Sequence, residues 1–167
     1  MTDVLHSNHS HHHQNPDMGR VRTALESQRG QSMVELAIAL PFLLLLVAGI
    51  IEFGRAYYQY NTLSKSVREA ARYMTTKAWL ATERTNATNL VVYGNVTGSG
   101  SPVLPGLTTS NVQITPRGGG TSDTNPPDWV QVAITNYQFR SRIPLVPINV
   151  TFTPGVEMRY VGLNARY

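Results

Sequence analysis

The chain has 167 residues, of which 41% are hydrophobic and 14% are charged, and its formal net charge is +4. That length allows one anchoring segment and one small domain. The sequence has no cysteine, which excludes a disulfide framework, a cysteine-ligated metal and a thiol nucleophile. The lysines and arginines are scattered and form no compact basic patch, so we expect no nucleic-acid partner.

The first 30 residues are predicted to be a disordered leader. Residues 1–17 are polar and cannot bury a core. This tract is rich in histidine and contains His6, His9, His11, His12 and His13. We interpret the tract as a flexible tail or part of a tag, with metal binding as the alternative that histidine-rich segments allow.

Residues 18–30 have a different composition from the tail. They carry three arginines against one glutamate, and Met18 offers a second translation start. A short basic segment before an apolar one is typical of the cytoplasmic side of a membrane protein. We therefore interpret residues 18–30 as a basic leader.

A long apolar segment follows the leader. The sixteen residues from Leu36 to Ile51 include no charged or strongly polar side chain. Counted as residues 33–53, the segment reaches the roughly 20 residues that a membrane-spanning helix needs. Pro41 lies inside the segment, where membrane helices tolerate proline, and it predicts a local kink. We predict a transmembrane helix over about 33–53.

Glu35 lies where this helix would enter the membrane. An acidic residue costs roughly 2.5–3.5 kcal/mol at the centre of a membrane helix and less near the interface. One interpretation is that Glu35 lies at the level of the lipid headgroups. The other is that a cut between Gly30 and Gln31 frees an α-amine four residues before Glu35, on the same helix face. The carboxylate would then neutralise that amine or the amine of a neighbouring subunit.

This arrangement resembles a type IV prepilin cleavage site, in which a glycine, the cut and a glutamate at the fifth mature position precede an apolar helix. The continuation is similar to the TadE family, the pseudopilins of the tight-adherence (Flp) pilus system. The specific elements are Leu40-Pro41 and Glu52-Phe53-Gly54-Arg55.

The resemblance implies a precursor that a prepilin peptidase cuts between Gly30 and Gln31, with Glu35 acting in subunit recognition. Its partners would be the membrane, the peptidase, other pilins or pseudopilins, and pilus assembly proteins. The N-terminus would be cytoplasmic and the C-terminal domain would lie outside the inner membrane. For Pro41 it adds a second interpretation, a loosened helix that eases packing into a filament.

Beyond the span the pattern stays helical to about residue 82. Small or apolar residues recur every three or four positions, as on one face of an amphipathic helix. This stripe contains Ala56, Tyr60, Leu63, Val67, Ala70, Ala71, Met74, Ala78 and Ala81. We predict one long helix over 31–82 whose stripe packs on the C-terminal domain. Its three tyrosines at 57, 58 and 60 are expected at the membrane–water interface, with core packing as the alternative.

Residues 85–167 are predicted to form a β-rich domain outside the membrane. Strand patterns bounded by glycine and proline occur at 90–93, 111–115 and 129–139, with a phase switch near Asn136 that predicts a bulge or twist. Two further alternating runs flank Pro154-Gly155, a pair typical of a type II turn, and predict a hairpin. The expected fold is α+β: a long N-terminal helix packed on a small, mostly antiparallel sheet of three to five strands.

The sequence offers little for catalysis. All five histidines precede residue 14, which removes the usual general base from the rest of the chain. The glycine-rich stretch 118–120 is not followed by the Lys-Ser/Thr of a phosphate loop. We interpret Asp123 and Asp128 as loop-solvating groups rather than calcium ligands. We therefore predict a protein that is not an enzyme and has no metal, cofactor or small-molecule substrate.

The function that these observations favour is a membrane-anchored minor pseudopilin that takes part in biogenesis of a tight-adherence pilus. The alternative is an uncleaved, signal-anchored binding module outside the membrane. A membrane-tethered enzyme is a third, less favoured option.

Overall fold

The computed structural model describes residues 17–144 and 148–162, with side chains from Gly30 onwards. Two α-helices, one short 3-10 helix (Thr109–Asn111) and five strands occur in these residues. The α-helices and strands are α1 (Asp17–Thr75), α2 (Ala81–Tyr93), β1 (Val112–Arg117), β2 (Trp129–Ile134), β3 (Tyr137–Arg140), β4 (Asn149–Phe152) and β5 (Gly155–Arg159). This confirms the predicted α+β class with a long N-terminal helix and small antiparallel sheets. The chain divides into two compact units, 1–44 and 45–167.

The N-terminal part of α1 differs from the prediction. We expected residues 18–30 to be disordered, but α1 already begins at Asp17. The segment contains no proline and several residues that favour helices, such as alanine, leucine, arginine and glutamine. Extending an existing helix avoids the cost of nucleating a new one. The histidine-rich tail lies outside the described residues, apart from Asp17.

The other end of α1 is also different, because the helix stops at Thr75 rather than at residue 82. Two adjacent threonines explain the stop. The hydroxyl of Thr75 donates to the carbonyl of Arg72 at 2.7 Å, and that of Thr76 donates to the carbonyl of Tyr73 at 3.1 Å. Such side-chain bonds compete with the backbone bonds that would continue a helix.

The predicted strand at 90–93 was wrong, because these residues form the last turn of α2. A short apolar run does not by itself distinguish a strand from a buried helix segment. Gly94 adopts the left-handed conformation with φ 71° and donates its N–H to the carbonyl of Leu90 at 3.0 Å. That is a common way for a helix to end, so Gly94 was the signal for a helix. The first element after α1 is thus this second helix, which begins at Ala81 rather than 85.

The five strands form two antiparallel sheets. One sheet has the strand order β1-β2-β5 and the other pairs β3 with β4. Pro116 lies inside β1, opposite Val130, whereas we expected it to end the strand. Because β1 is an edge strand of its sheet, the missing N–H of a proline costs no bond between strands there.

The predicted strand at 129–139 is interrupted near the expected position. Asn136 has φ 57°, the left-handed conformation, and β2 and β3 on either side of it belong to different sheets. The predicted hairpin around Pro154-Gly155 was also wrong, because the two strands that flank this pair belong to different sheets. Instead of pairing with each other, β5 pairs with β2 and β4 pairs with β3. Residues 141–148 therefore connect the two paired strands β3 and β4.

The hydrophobic core brings the outer part of α1 together with α2 and the first sheet. Its fully buried side chains include Leu63, Val67 and Met74 of α1, Val91 of α2, and Val132 of β2. The stripe predicted along the helix is thus confirmed between residues 63 and 74. The C-terminal end of α1 contacts the segment that follows β5, since the N–H groups of residues 161 and 162 donate to the carbonyl of Thr75 at 3.1 and 2.9 Å.

Candidate functional site: the anchor helix and the Glu52 junction

The apolar part of α1 is exposed along almost its whole length, and only Ala48 and Gly49 are half-buried. The described helix from residue 30 contains an 18-residue window with a mean hydropathy of 2.6, and none of that window is buried. Leu36, Phe42 and Leu46 are 60%, 70% and 61% exposed. Exposed apolar surface of this extent is unusual for a soluble domain and marks a membrane or protein contact. By length and composition, this helix can cross a membrane.

The predicted processing site lies at the beginning of this segment. Gly30 and Gln31 are both exposed and helical. The side-chain amide of Gln31 donates to Oε1 of Glu35 at 3.3 Å. Residues 31 and 35 therefore share one helix face, as their spacing predicts. Pro41 lies inside α1, whose helical assignment continues through it, and the predicted kink remains a prediction.

Glu52 is the charged residue where the apolar segment ends. Its side chain is fully buried. Arg55, one helical turn later, binds both carboxylate oxygens through Nη1, at 2.8 Å and 2.7 Å. Buried carboxylates are costly unless they are paired and hydrogen-bonded. The pair meets that requirement locally, since residues three apart on a helix are neighbours.

A third contact links Glu52 to the β domain. The backbone N–H of Arg142, in the connector between β3 and β4, donates to Oε1 of Glu52 at 2.8 Å. The connector is folded at this point, because the Ser141 hydroxyl donates to the Ile143 carbonyl at 3.1 Å and accepts the Ile143 N–H at 3.2 Å. Glu52 thus fixes α1 to this turn. We call these contacts the Glu52 junction.

The junction lies at the end of the predicted membrane segment. We predicted a span over about 33–53, which includes Glu52. The structure buries Glu52 against the connector of the domain, while its neighbour Phe53 is 70% exposed. The limits of the membrane span therefore stay a prediction.

Aromatic residues surround the helix just beyond the junction. Tyr57 and Tyr58 are 61% and 66% exposed. Tyr60 packs edge-to-face on Phe152 of β4, with 5.6 Å between the ring centroids. The two interpretations of the tyrosines therefore apply to different residues: Tyr60 contacts the domain, while the other two have the exposure that an interfacial position requires.

A cleft of about 500 Å³ lies next to the junction, between α1 and β3. Its lining contains Arg55, Arg140 and Arg142 and no carboxylate. At its wall, the Tyr137 hydroxyl lies 3.1 Å from both Oε1 of Gln59 and the Pro105 carbonyl. Burial raises the pKa of Tyr137 above its usual value, so this hydroxyl keeps the proton that it donates to these two acceptors. We call this feature the arginine cleft.

Sequence reasoning missed both the junction and the cleft. The residues Glu52 and Arg55 were noted as a motif, but their partner Arg142 lies 90 positions further along the chain. One signal was present: Glu52 lies four residues before Ala56, at the start of the stripe that is buried from Leu63 onwards. A charged residue in phase with a buried stripe predicts a buried contact.

The described chain is thus of the kind in which one helix can anchor a small α+β domain to a membrane. Comparison with known families identifies the helix further. Residues 30–72 match the family model described as TadE-like protein, which confirms the resemblance over this segment. The matched residues include Gly30, Glu35, Glu52 and Arg55. The family suggests a function related to the tight-adherence pilus.

The match ends within α1 and includes none of the strands. Among curated proteins and among solved structures, no match is found. The α+β domain after residue 72 is therefore described by its own geometry alone.

Proposed function

We propose that this protein is a minor pseudopilin that is anchored by α1 and takes part in the biogenesis of a tight-adherence pilus. The observation that carries the proposal is the exposed apolar surface of residues 36–51, directly preceded by Glu35 at the fifth position after Gly30. The proposed precursor is cut between Gly30 and Gln31. The new α-amine then lies on the helix face that carries Glu35.

The geometry at residues 31 and 35 supports this pairing. In the uncut chain the Gln31 side chain already bonds to Glu35. A positive α-amine on Gln31 would be a stronger partner for the carboxylate, because charge-assisted hydrogen bonds are roughly twice as strong as neutral ones. The same carboxylate is at the right place to accept the amine of a neighbouring subunit during assembly.

The length of the apolar segment supports a single crossing of the inner membrane. The 19 residues from Met33 to Ile51 cover roughly 28 Å at 1.5 Å per residue, close to the roughly 30 Å of a hydrocarbon core. The basic leader before the segment favours a cytoplasmic N-terminus. In this proposal the α+β domain lies outside the membrane and acts through binding rather than catalysis, since the chain has no cysteine and no histidine after residue 13.

The test of cleavage is N-terminal determination of the membrane-extracted protein, produced with and without the peptidase. We expect the chain to begin at Gln31 when the peptidase is present and to keep residues 18–30 when it is absent. A leader that is retained in both samples would contradict the pseudopilin function and favour an uncleaved binding module. Protein recovered without membrane extraction would contradict the anchor itself.

Glu35 can be tested separately by Glu35→Gln, which keeps the shape and removes the charge. We expect incorporation into pilus assembly, or processing, to fall on the order of tenfold, the effect of losing roughly one good ion pair. The measurements are the number of pili per cell and the ratio of precursor to mature protein. The matched control is Glu69→Gln, an exposed glutamate on the same helix. Equal piliation and equal maturation in both variants would exclude the role of Glu35.

A further inference from the structure

The arginine cleft carries two positive charges that the domain does not compensate. Within residues 30–144 and 148–162, the one salt bridge joins Glu52 to Arg55. Arg140 and Arg142 are exposed, and neither has a carboxylate partner there. Since no acidic residue lines the cleft, its electrostatic potential is positive and favours an anion.

Two parts of the cleft wall, Arg55 and the connector, are held in place by contacts with the domain. Arg55 is held by Glu52, and its guanidinium lies 5.3 Å from the ring centroid of Phe139. The connector that carries Arg142 is bound to Glu52 through its backbone, which leaves the Arg142 side chain free to reach a ligand. A volume of about 500 Å³ lies in the range of small-molecule sites. Arginines in this arrangement suit phosphate, which the guanidinium group can bind through two parallel hydrogen bonds.

The position along α1 indicates where that phosphate comes from. Arg55 is four residues after Ile51, which is roughly 6 Å along the helix axis. The headgroup layer on each side of a bilayer is roughly 5–8 Å thick. If the hydrocarbon ends at Ile51, the cleft lies at the depth of the lipid phosphates. Phe53, Tyr57 and Tyr58 at the same level are 70%, 61% and 66% exposed, as expected for aromatic residues at a membrane interface.

We propose that the arginine cleft binds the phosphate of an anionic phospholipid headgroup. The bound lipid fixes the domain at a defined height above the membrane, next to the helix that anchors it. This inference rests on the membrane anchor of the proposed function but not on cleavage or on the pilus. Apart from Arg55 and Gln59, the lining of the cleft lies in residues 105–142, outside the segment that matches the TadE-like family.

The test uses full-length protein in neutral detergent, titrated with phosphatidylglycerol or with phosphatidylcholine. Native mass spectrometry then counts the lipids that each protein molecule retains. We expect the wild-type protein to retain one phosphatidylglycerol in preference to phosphatidylcholine. The double variant Arg140→Gln/Arg142→Gln should bind phosphatidylglycerol on the order of tenfold more weakly, since both charges that lack a partner are removed.

The matched control is Arg68→Gln/Arg72→Gln, which removes the same charge from two exposed arginines of α1 outside the cleft. It should retain the lipid like the wild type. Equal loss in the control would mean that total charge and not the cleft attracts the lipid, and unchanged binding in the cleft variant would also contradict the proposal. If inorganic phosphate at millimolar concentration displaces the lipid completely, the site is one for free phosphate and the lipid assignment is wrong.

One further measurement, combined with the cleavage test, keeps the outcomes separate. Thermal unfolding without lipid checks that the cleft variant is folded; should it unfold, the single variant Arg142→Gln, in the exposed connector, replaces it. A protein that is cut after Gly30 but shows no preference for phosphatidylglycerol contradicts the lipid site alone. A protein that keeps its leader and still shows the preference contradicts the pseudopilin function alone.

Discussion

The two parts of α1 on either side of Glu52 follow different rules. Residues 36–51 are apolar on every face and largely exposed, with Leu46 at 61%. Residues 52–75 are apolar on one stripe, and Leu63 on that stripe is fully buried. A helix that is hydrophobic all round requires an apolar environment, while an amphipathic helix requires one packed face.

The difference shows that one continuous helix can be suited to two environments, an apolar one along residues 36–51 and a packed domain along residues 52–75. What separates them is a charged residue that is buried by a domain and not exposed to water. Glu52 binds a turn of the domain through Arg142 and therefore fixes where the domain begins. The comparison predicts that leucines on the two sides of this boundary respond differently to substitution. It also predicts that Glu52 and Tyr73, which contact the domain, respond differently from exposed residues of the same type on α1.

The largest effect is expected for Leu63→Ala. Leu63 is fully buried in the core, and truncating a buried leucine to alanine typically costs about 2–5 kcal/mol. We expect the free energy of unfolding of the domain to fall by that amount, measured by denaturant unfolding of the full-length protein in micelles. A loss of less than about 1 kcal/mol would contradict the packing of α1 in the core.

The matched control for this prediction is Leu46→Ala, the same change on the exposed part of the helix. Because Leu46 touches no core, the unfolding free energy should change by less than about 0.5 kcal/mol, as for most exposed positions. Its effect should appear instead as weaker retention in the membrane fraction. Equal destabilisation by the two substitutions would remove the distinction between the two parts of α1.

An intermediate effect is expected at the Glu52 junction. Glu52→Gln keeps an oxygen for the N–H of Arg142 but removes the charge that pairs with Arg55. The carboxylate of Glu52 is buried and the Arg55 side chain is half-buried, and removing one partner of such a pair leaves the other without compensation. We expect the midpoint of thermal unfolding to fall by several degrees, less than for Leu63→Ala, while the exposed control Glu69→Gln stays close to wild type.

A double-mutant cycle sharpens this prediction. If Glu52 and Arg55 act as a pair, then adding Arg55→Gln to Glu52→Gln should cost little more than Glu52→Gln alone. The measurement is thermal unfolding of the two single variants and the double variant under the same conditions. Strictly additive losses would mean that the two residues stabilise the domain independently, and the junction would then rest on the Arg142 contact.

The sequence predicted the parts of the fold that depend on local periodicity. The exposed apolar run and the stripe through Leu63, Val67 and Met74 follow from spacing alone. The end of the helix was missed because the hydroxyls of Thr75 and Thr76 take the carbonyls that would continue it. That competition is visible only once the local geometry is known.

The candidate site likewise has parts that follow from local spacing and parts that depend on residues far apart in the chain. The pair formed by residues 31 and 35 follows from helical spacing, and the family resemblance followed from motifs within one segment. The burial of Glu52 did not follow, because it depends on Arg142, which only the folding of β3 and β4 brings to the helix. The hairpin was predicted wrongly because strand pairing involves partners far apart in the chain. The strands β2 and β3, on either side of Asn136, belong to different sheets, and they pair with β5 and β4 respectively.

The smallest effect is expected from a titrating contact between α1 and α2. The hydroxyl of Tyr73 donates to Oε2 of Glu83, and this hydrogen bond lowers the pKa of Glu83 below its ordinary value of 4.5. A carboxylate whose pKa is lower in the folded state than in the unfolded state stabilises the fold above the unfolded pKa. That contribution is lost as the pH falls below about 4.5 and through the pKa of the folded state.

Tyr73→Phe removes the donor, so its unfolding midpoint should be lower than that of the wild type at pH 7, and the difference should shrink towards pH 3. Thermal unfolding over this pH range measures the effect, with Tyr58→Phe, an exposed tyrosine of α1, as the matched control. A difference that is independent of pH would show that Tyr73 stabilises the domain through packing and not through the charge of Glu83.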